Sequence, residues 1–244
     1  ITGSADTHDR IVWGPPGPER DRRKAENDPV LKKRITSELG NVSPVVIVPM
    51  LFSKAELWFL ARNIATQVVN NASFNCNAAK MLVLPKGWAQ RDLLMEMLKK
   101  ALREVPPRKA YYPGAFQRFD TLTAGKNAMC IGDAKEGELP WTVIRELDAR
   151  DKTEVLFRTE PFCGIISEVE VGSDDPIRFL EAATDFCNKT LWGTLNCMLV
   201  VHPALEEDQA VKDAINKAVH RFYYGTVSIN HWPAVVYGLS VPPW

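Results

Sequence analysis

Short apolar runs alternate with longer stretches whose apolar residues recur at helical spacing, and this alternation restricts the fold more than any other feature of the chain. Pro44-Val45-Val46-Ile47-Val48 is a continuous apolar run of strand length, as expected of a strand covered on both faces. Ser53 follows as a helix cap, and Glu56 three positions later completes a capping box. In the helix that begins there, Leu57, Leu60, Ala61, Ile64 and Val68 fall on one side. The same patterns predict strands over 80–84, 164–171, 196–201 and 225–230, and helices over 89–104, 177–187 and 206–221. Leu93, Leu94, Met97, Leu98 and Leu102 mark the apolar side of the second helix, while Asp174 or Asp175 followed by Pro176 marks the start of the third. Strands alternating with helices of this length imply an α/β fold: a mainly parallel sheet with helices on both faces. Residues 13–34, rich in proline, glycine and charge, read as an exposed loop or linker, and residues 106–140 as irregular.

Composition excludes several classes of function. Thirty basic and thirty acidic residues cancel, so no global field draws the chain to nucleic acid or an anionic membrane. No apolar run approaches the ~20 residues of a membrane span. Five cysteines, at 76, 130, 163, 187 and 197, are odd in number and widely spaced, without a Cys-x-x-Cys pair. That is neither a disulfide framework nor a zinc site, and it suits the reducing cytoplasm. The histidines at 8, 202, 220 and 231 form no ligand pair at helical spacing, so no metal is expected. The first residue is not Met, and the sequence stops at Pro242-Pro243-Trp244 directly after an apolar stretch. Both ends therefore read as those of a piece of a longer polypeptide.

Within this framework Cys76 lies where the polar stretch "NNASFNC" changes abruptly into the apolar strand Met81-Leu82-Val83-Leu84. Sites in α/β folds gather where loops meet strands, although a lone cysteine is more often a small buried hydrophobe. Four further stretches surround it in order: "TSELGNVSP" (36–44), "RTEPFCGI" (158–165), "CNKTLWGTL" (187–195) and "YYGTVSIN" (223–230), with "ITGS" (1–4) at the start. With "NASFNC" (71–76), this series resembles the aldehyde dehydrogenase superfamily. There a Glu-Leu-Gly-Gly-x-Ser-Pro stretch precedes Asn-x-Gly-Gln-x-Cys, followed by Glu-x-Phe-Gly-Pro, Asn-x-x-x-Tyr-Gly-Leu and Gly-x-Val-x-x-Asn. The resemblance covers most of 36–230 and the first few residues.

The resemblance implies a role for each matching position. Cys76 corresponds to the nucleophile and Glu38 to the general base. Glu160 corresponds to the carboxylate that binds the nicotinamide-ribose hydroxyls, and Phe162 to the aromatic residue near that ring. Gly3 and Ser4 correspond to the turn facing the phosphates of NAD or NADP, and Asn230 and Trp232 to the substrate entrance. Each residue type also has a plain structural use: Glu38 as a strand-end carboxylate, Glu160 as a solvated loop charge, Phe162 and Trp232 as core aromatics. The implied reaction is oxidation of an aldehyde to an acid through a cysteine thiohemiacetal and thioester. Nothing obviously basic flanks Cys76 in the sequence, so help in ionising the thiol is expected from distant chain, cofactor or Glu38.

The match is imperfect. Ser73 and Phe74 replace the motif's Gly and Gln, Asn41 replaces a Gly, and Cys163-Gly164 replace Gly-Pro. This pattern implies a divergent member, with residues 1–37 a remnant of the nucleotide-binding domain plus linker and 38–244 the thiol-bearing catalytic domain. The missing nucleotide-binding domain of the same chain is then an implied partner, the full-length protein an implied homo-oligomer, and the piece alone inactive. Two other readings stay open: a relative that passes the thioester to coenzyme A, against which Glu38 weighs, and a non-catalytic scaffold descendant.

Overall fold

The structure, a computed structural model, describes residues 1–239, apart from the side chain of Tyr237. It divides into a small unit, Ile1–Gly40, and a large unit that begins at Asn41. The last residues of the expected 38–244 domain, 240–244, lie outside the described residues.

In the small unit β1 (Thr2–Gly3) is followed by α1 (Ala5–Val12), α2 (Pro18–Ala25) and β2 (Glu38–Leu39). The two strands pair in parallel, Thr2 opposite Glu38 and Gly3 opposite Leu39. Helix α2 falls in the stretch expected to be a loop. It buries no residue, so no apolar stripe announces it in the sequence. Charge holds it instead: Pro18 sits at its first turn, acidic residues lie at its start and basic ones at its end. Arg22 pairs with Glu19 (2.8 Å) and Glu26, and Arg23 with Glu19 (2.9 Å), all at helical spacing.

The large unit runs β3 (Pro44–Ile47), α3 (Lys54–Val69), β4 (Met81–Pro85), α4 (Arg91–Arg103), β5 (Arg108–Lys109), α5 (Ala115–Thr123), β6 (Ala128–Ile131), β7 (Glu138–Leu139), β8 (Trp141–Leu147), β9 (Ile165–Val171), α6 (Pro176–Lys189), β10 (Asn196–Val200), α7 (Gln209–Arg221), β11 (Thr226–Ile229) and α8 (Val235–Leu239). Seven strands form one sheet in the order β11-β10-β3-β4-β9-β8-β6. All its pairs are parallel except β6 with β8. Successive strand residues point to opposite faces, and the core divides accordingly. Val45, Ile47, Leu82 and Leu84 pack with Leu57, Ile64, Leu94 and Leu98 of α3 and α4. Val46, Met81, Val83 and Leu199 pack with Phe179, Ala183 and Ile215 of α6 and α7.

The predicted capping box is present: Ser53 accepts from the Glu56 N–H, and the Glu56 carboxylate accepts from the Ser53 N–H. Asp175 caps α6 by accepting from the Arg178 N–H (2.9 Å), with Pro176 in the first turn. Helix α4 is rotated relative to the expected face. Leu93 is exposed and Met95 buried, so the inward stripe is 94, 95, 98, 101 and 102. The expected helix 206–221 starts later, at Gln209, after a 3₁₀ turn over Pro203–Glu207 and an Asp208 cap. The supposedly irregular region holds α5, β6 and the short antiparallel pair β5–β7. Strand β8 also escapes the sequence pattern, because Glu146 adopts φ +67° and the register shifts between Ile144 and Leu147. Among the described residues no helix is long and apolar enough to cross a membrane, and no three His, Cys, Asp or Glu side chains cluster as metal ligands would.

Candidate active site

The turn that carries Cys76 begins where α3 ends. Asn71, Ala72 and Ser73 all take positive φ (50°, 54° and 66°), a conformation costly for residues with a Cβ. Ser73 stands where the resembled motif has glycine, and its φ gives the backbone reason for glycine there. The turn is closed by the Asn71 amide donating to the Phe74 carbonyl (2.9 Å) and the Phe74 N–H donating to the Asn71 carbonyl (3.0 Å).

Cys76 is half-buried, and the groups around it are polar. The Asn77 side-chain amide donates to its Sγ at 3.5 Å. Asn77 is itself fixed: its Oδ1 accepts from Asn196 (2.7 Å), its carbonyl from the Trp232 indole (2.7 Å), and its N–H donates to Asn75 Oδ1 (2.8 Å). Asn196 is buried at the start of β10, so the donor aimed at the sulfur has a rigid support. A donor of this kind favours a sulfur anion over the neutral thiol.

Four residues after Cys76, Lys80 folds back under the same turn with its side chain only 1% exposed. Its ammonium donates to the carbonyls of Cys76 (2.8 Å), Ala78 (3.0 Å) and Asn75 (3.3 Å), and lies 3.4 Å from Ser43 Oγ. It also pairs with Glu160 Oε1 at 3.0 Å. Ser43 Oγ lies within reach of both Asn41 Oδ1 (2.7 Å) and the Cys76 carbonyl (3.1 Å), which ties the end of the "SELGNVSP" stretch to the cysteine turn.

Glu160 and Phe162 lie on the loop before β9. Phe162 has φ +45°, and its ring meets Tyr112 (4.8 Å) and Phe74 (6.0 Å). Arg118 of α5 holds this loop by donating to the carbonyls of Pro161 (3.1 Å) and Phe162 (3.3 Å). Gly164 is required two residues on, because a Cβ there would lie 2.9 Å from the Trp141 ring. Cys76, Glu160 and Phe162 are thus joined through Lys80 and Phe74. Of the two expected entrance residues, Trp232 reaches the cysteine turn through Asn77. The Asn230 side chain instead accepts from the Val201 N–H (2.8 Å) and donates to the Val201 carbonyl (2.9 Å).

In the small unit, Gly3 lies in β1 beside β2, and a Cβ at Gly3 would meet nothing within 4 Å. Ser4 caps α1, its hydroxyl accepting from the Thr7 N–H (3.2 Å) and bonding Thr7 Oγ1 (2.9 Å). Glu38, in β2, has one carboxylate oxygen that is buried without a hydrogen-bond partner among the described residues.

The other thiols differ from Cys76. Cys163, Cys187 and Cys197 are buried, and Cys130 is exposed. Burial pushes the Cys163 thiol up to about 12 and the Cys187 and Cys197 thiols well above their ordinary range, so none of the three ionises near neutrality. A cavity of about 370 Å³, lined by Phe52, Phe59, Met198 and His202, opens at the carboxyl ends of β3 and β10. Because these strands run parallel to β4, it lies at the opposite end of the sheet from Cys76 and is not part of this site.

No family model matches the sequence, and no curated protein matches it either. Solved structures do match. An NADP-dependent glyceraldehyde-3-phosphate dehydrogenase from Bacillus halodurans C-125, complexed with NADP, superposes with a TM-score of 0.63 at 16% identity, over 95% of this chain and 44% of its own. Lactaldehyde dehydrogenase from Escherichia coli gives 0.66 at 18%, over 94% and 44%. An NAD-dependent aldehyde dehydrogenase from Sinorhizobium meliloti gives 0.62 at 21%, over 95% and 42%. The chain has the aldehyde dehydrogenase fold. It spans less than half the length of these relatives in fold, and its seven-stranded sheet corresponds to their catalytic domain.

Set on the aldehyde dehydrogenase fold, two polar residues at Cys76 stand out that sequence reasoning passed over. Lys80 directly precedes an apolar strand, where a lysine reads as a solvated flanking charge, and only the folded turn shows it buried. Asn77 adjoins Cys76 in sequence, but its use depends on Asn196, more than a hundred residues away. One signal was available: a lysine between Ala79 and the buried run Met81–Leu84 leaves little space for an exposed charge.

Proposed function

We propose that this chain is the thiol-bearing part of an NAD(P)-dependent aldehyde dehydrogenase that oxidises an aldehyde to a carboxylic acid. The observation that carries the reading is a half-buried cysteine sulfur on a strained, polar turn, held by Asn77 and joined through Lys80 to Glu160, within the aldehyde dehydrogenase fold. Such a turn is built to present a group rather than to fill a core.

The residues fit a nicotinamide cofactor at one point of contact. The Glu160 carboxylate lies beside the cysteine turn, paired with Lys80, and its side chain is 14% exposed. It would take the nicotinamide-ribose hydroxyls, with Phe162 beside the ring. NAD or NADP supplies, when bound, the acceptor for a hydride. The chain's own residues do the rest. The Cys76 thiolate attacks the aldehyde carbon, forming a carbon–sulfur bond and placing the electron pair on oxygen. Collapse of that oxyanion expels the hydride and leaves a thioester on Cys76. Glu38, the base by resemblance, removes a proton from water. The resulting hydroxide adds to the thioester, the carbon–sulfur bond breaks, and acid and thiolate separate.

The test is a competition for iodoacetamide at pH 7 read by peptide mass spectrometry. Cys76 is expected to be alkylated roughly tenfold faster than exposed Cys130, because its environment favours the thiolate. Cys163, Cys187 and Cys197 should stay unmodified until the protein unfolds. Equal or slower labelling of Cys76 than of Cys130 would count against the nucleophile and for a scaffold.

A further inference from the structure

We propose that Lys80 is a positioning residue whose buried ammonium, shared between the Cys76 carbonyl and Glu160, sets how readily Cys76 ionises, with Glu160 as the opposing charge. The inference rests on the reading of Cys76 as nucleophile.

Three features of the geometry argue for it. First, the ammonium is enclosed rather than solvated. Three carbonyls, a hydroxyl and a carboxylate lie within 3.4 Å of Nζ, and the side chain is only 1% exposed. A lysine accepts such burial when its charge is fully compensated, as here by a carboxylate and several carbonyl dipoles. Second, the nearest of its partners, at 2.8 Å, is the carbonyl of the cysteine itself. The charge therefore sits within a few bonds' reach of the sulfur, in a place where water screens it little. Third, Glu160 at 3.0 Å neutralises much of that charge. The two groups act on the sulfur with opposite sign: the ammonium favours thiolate and the carboxylate opposes it.

Other groups near the site belong to several elements. Asn77, braced by Asn196, is a neutral donor to the sulfur. Arg118 of α5 contacts the Glu160 loop through the Pro161 and Phe162 carbonyls. His231 precedes Trp232, the residue bonded to Asn77. Lys80 is a cation coupled directly to the cysteine's backbone carbonyl. Should Glu160 turn to a ribose hydroxyl when cofactor binds, the ammonium loses its counter-charge and the thiol ionises more readily. The same pair would then link cofactor arrival to activation of the nucleophile.

The experiment measures the rate of Cys76 alkylation by iodoacetamide against pH, with Cys130 as internal reference. The parent is Glu38→Gln, which removes the other carboxylate assigned to the reaction, and Lys80→Met and Glu160→Gln are added to it. Lys80→Met is expected to move the midpoint of the profile up by about one unit, slowing the reaction at pH 7 roughly tenfold. Glu160→Gln is expected to move it down and to speed the reaction several-fold. Opposite shifts are the signature of charge, since loosening of the turn would alter both variants in one direction. Should Lys80→Met fail to fold, as judged by near-UV circular dichroism, Glu160→Gln decides alone: an unchanged or higher midpoint overturns the proposal. A parent in which Cys76 reacts no faster than Cys130 overturns the nucleophile reading instead. A reactive parent with unmoved variants overturns only the role of Lys80.

Discussion

Replacing Cys76 by serine is expected, under the proposed function and in a chain that also carries a nucleotide-binding half, to lower kcat for aldehyde oxidation roughly a thousandfold or more while leaving the fold intact. The size follows from ionisation. A thiol near pKa ~8.5 supplies a few per cent of thiolate at neutral pH even without help, whereas a serine hydroxyl supplies essentially none. Asn77, which donates to the sulfur, and the Lys80 ammonium, which donates to the Cys76 carbonyl, cannot compensate, since a donor does not remove a proton from a hydroxyl. Serine is close in volume to cysteine, and Asn71, Asn75 and Lys80 hold the turn, so near-UV circular dichroism should be unchanged. Retention of more than a tenth of the activity would remove Cys76 from the chemistry.

Replacing Glu168 by alanine is expected to destabilise the protein by about 3 kcal/mol, the largest single loss expected from a charged residue. Glu168 is fully buried in β9, opposite Leu82 of the central strand β4. One carboxylate oxygen accepts from Arg91 (Nε, 2.8 Å) and the other from Arg145 (Nε, 3.0 Å). Each guanidinium is less than a fifth exposed, so removal of the acid leaves two mostly buried cations facing each other. Their remaining partners, Glu170 for Arg91 and Asp92 for Arg145, keep the loss near the lower end of the range for broken buried pairs. Glu168→Gln, which keeps an acceptor but not the charge, should fall between the two. Urea unfolding measures both, and a loss under 1 kcal/mol for alanine would show that the arginines are supported without Glu168.

How much of this could be read from the chain depended on where the stabilising energy lies. Elements held by apolar burial were legible. The run Pro44–Ile47 and the stripe Leu57, Leu60, Ala61, Ile64 and Val68 are buried as their patterns require. Local polar chemistry was legible too, as in the Ser53–Glu56 box and the Asp175 cap. Helix α2 was not, because it is held by ion pairs and buries nothing. Strand β8 was not, because the bulge at Glu146 breaks its alternation. The motif residues pointed to Cys76 and Glu160 through resemblance, but the link between them is a lysine whose importance exists only after the turn has folded back on itself. Ser4 caps α1, a role its residue type alone predicts.

The most direct test of the central claim, that a thioester forms on Cys76 and is released by Glu38, is acid quenching of the Glu38→Gln protein after mixing with NAD and propanal. One burst equivalent of reduced cofactor and a propanoyl adduct on the peptide that carries Cys76 are expected, with little turnover afterwards. Reduced cofactor produced at undiminished rate with Cys76 unmodified would contradict it.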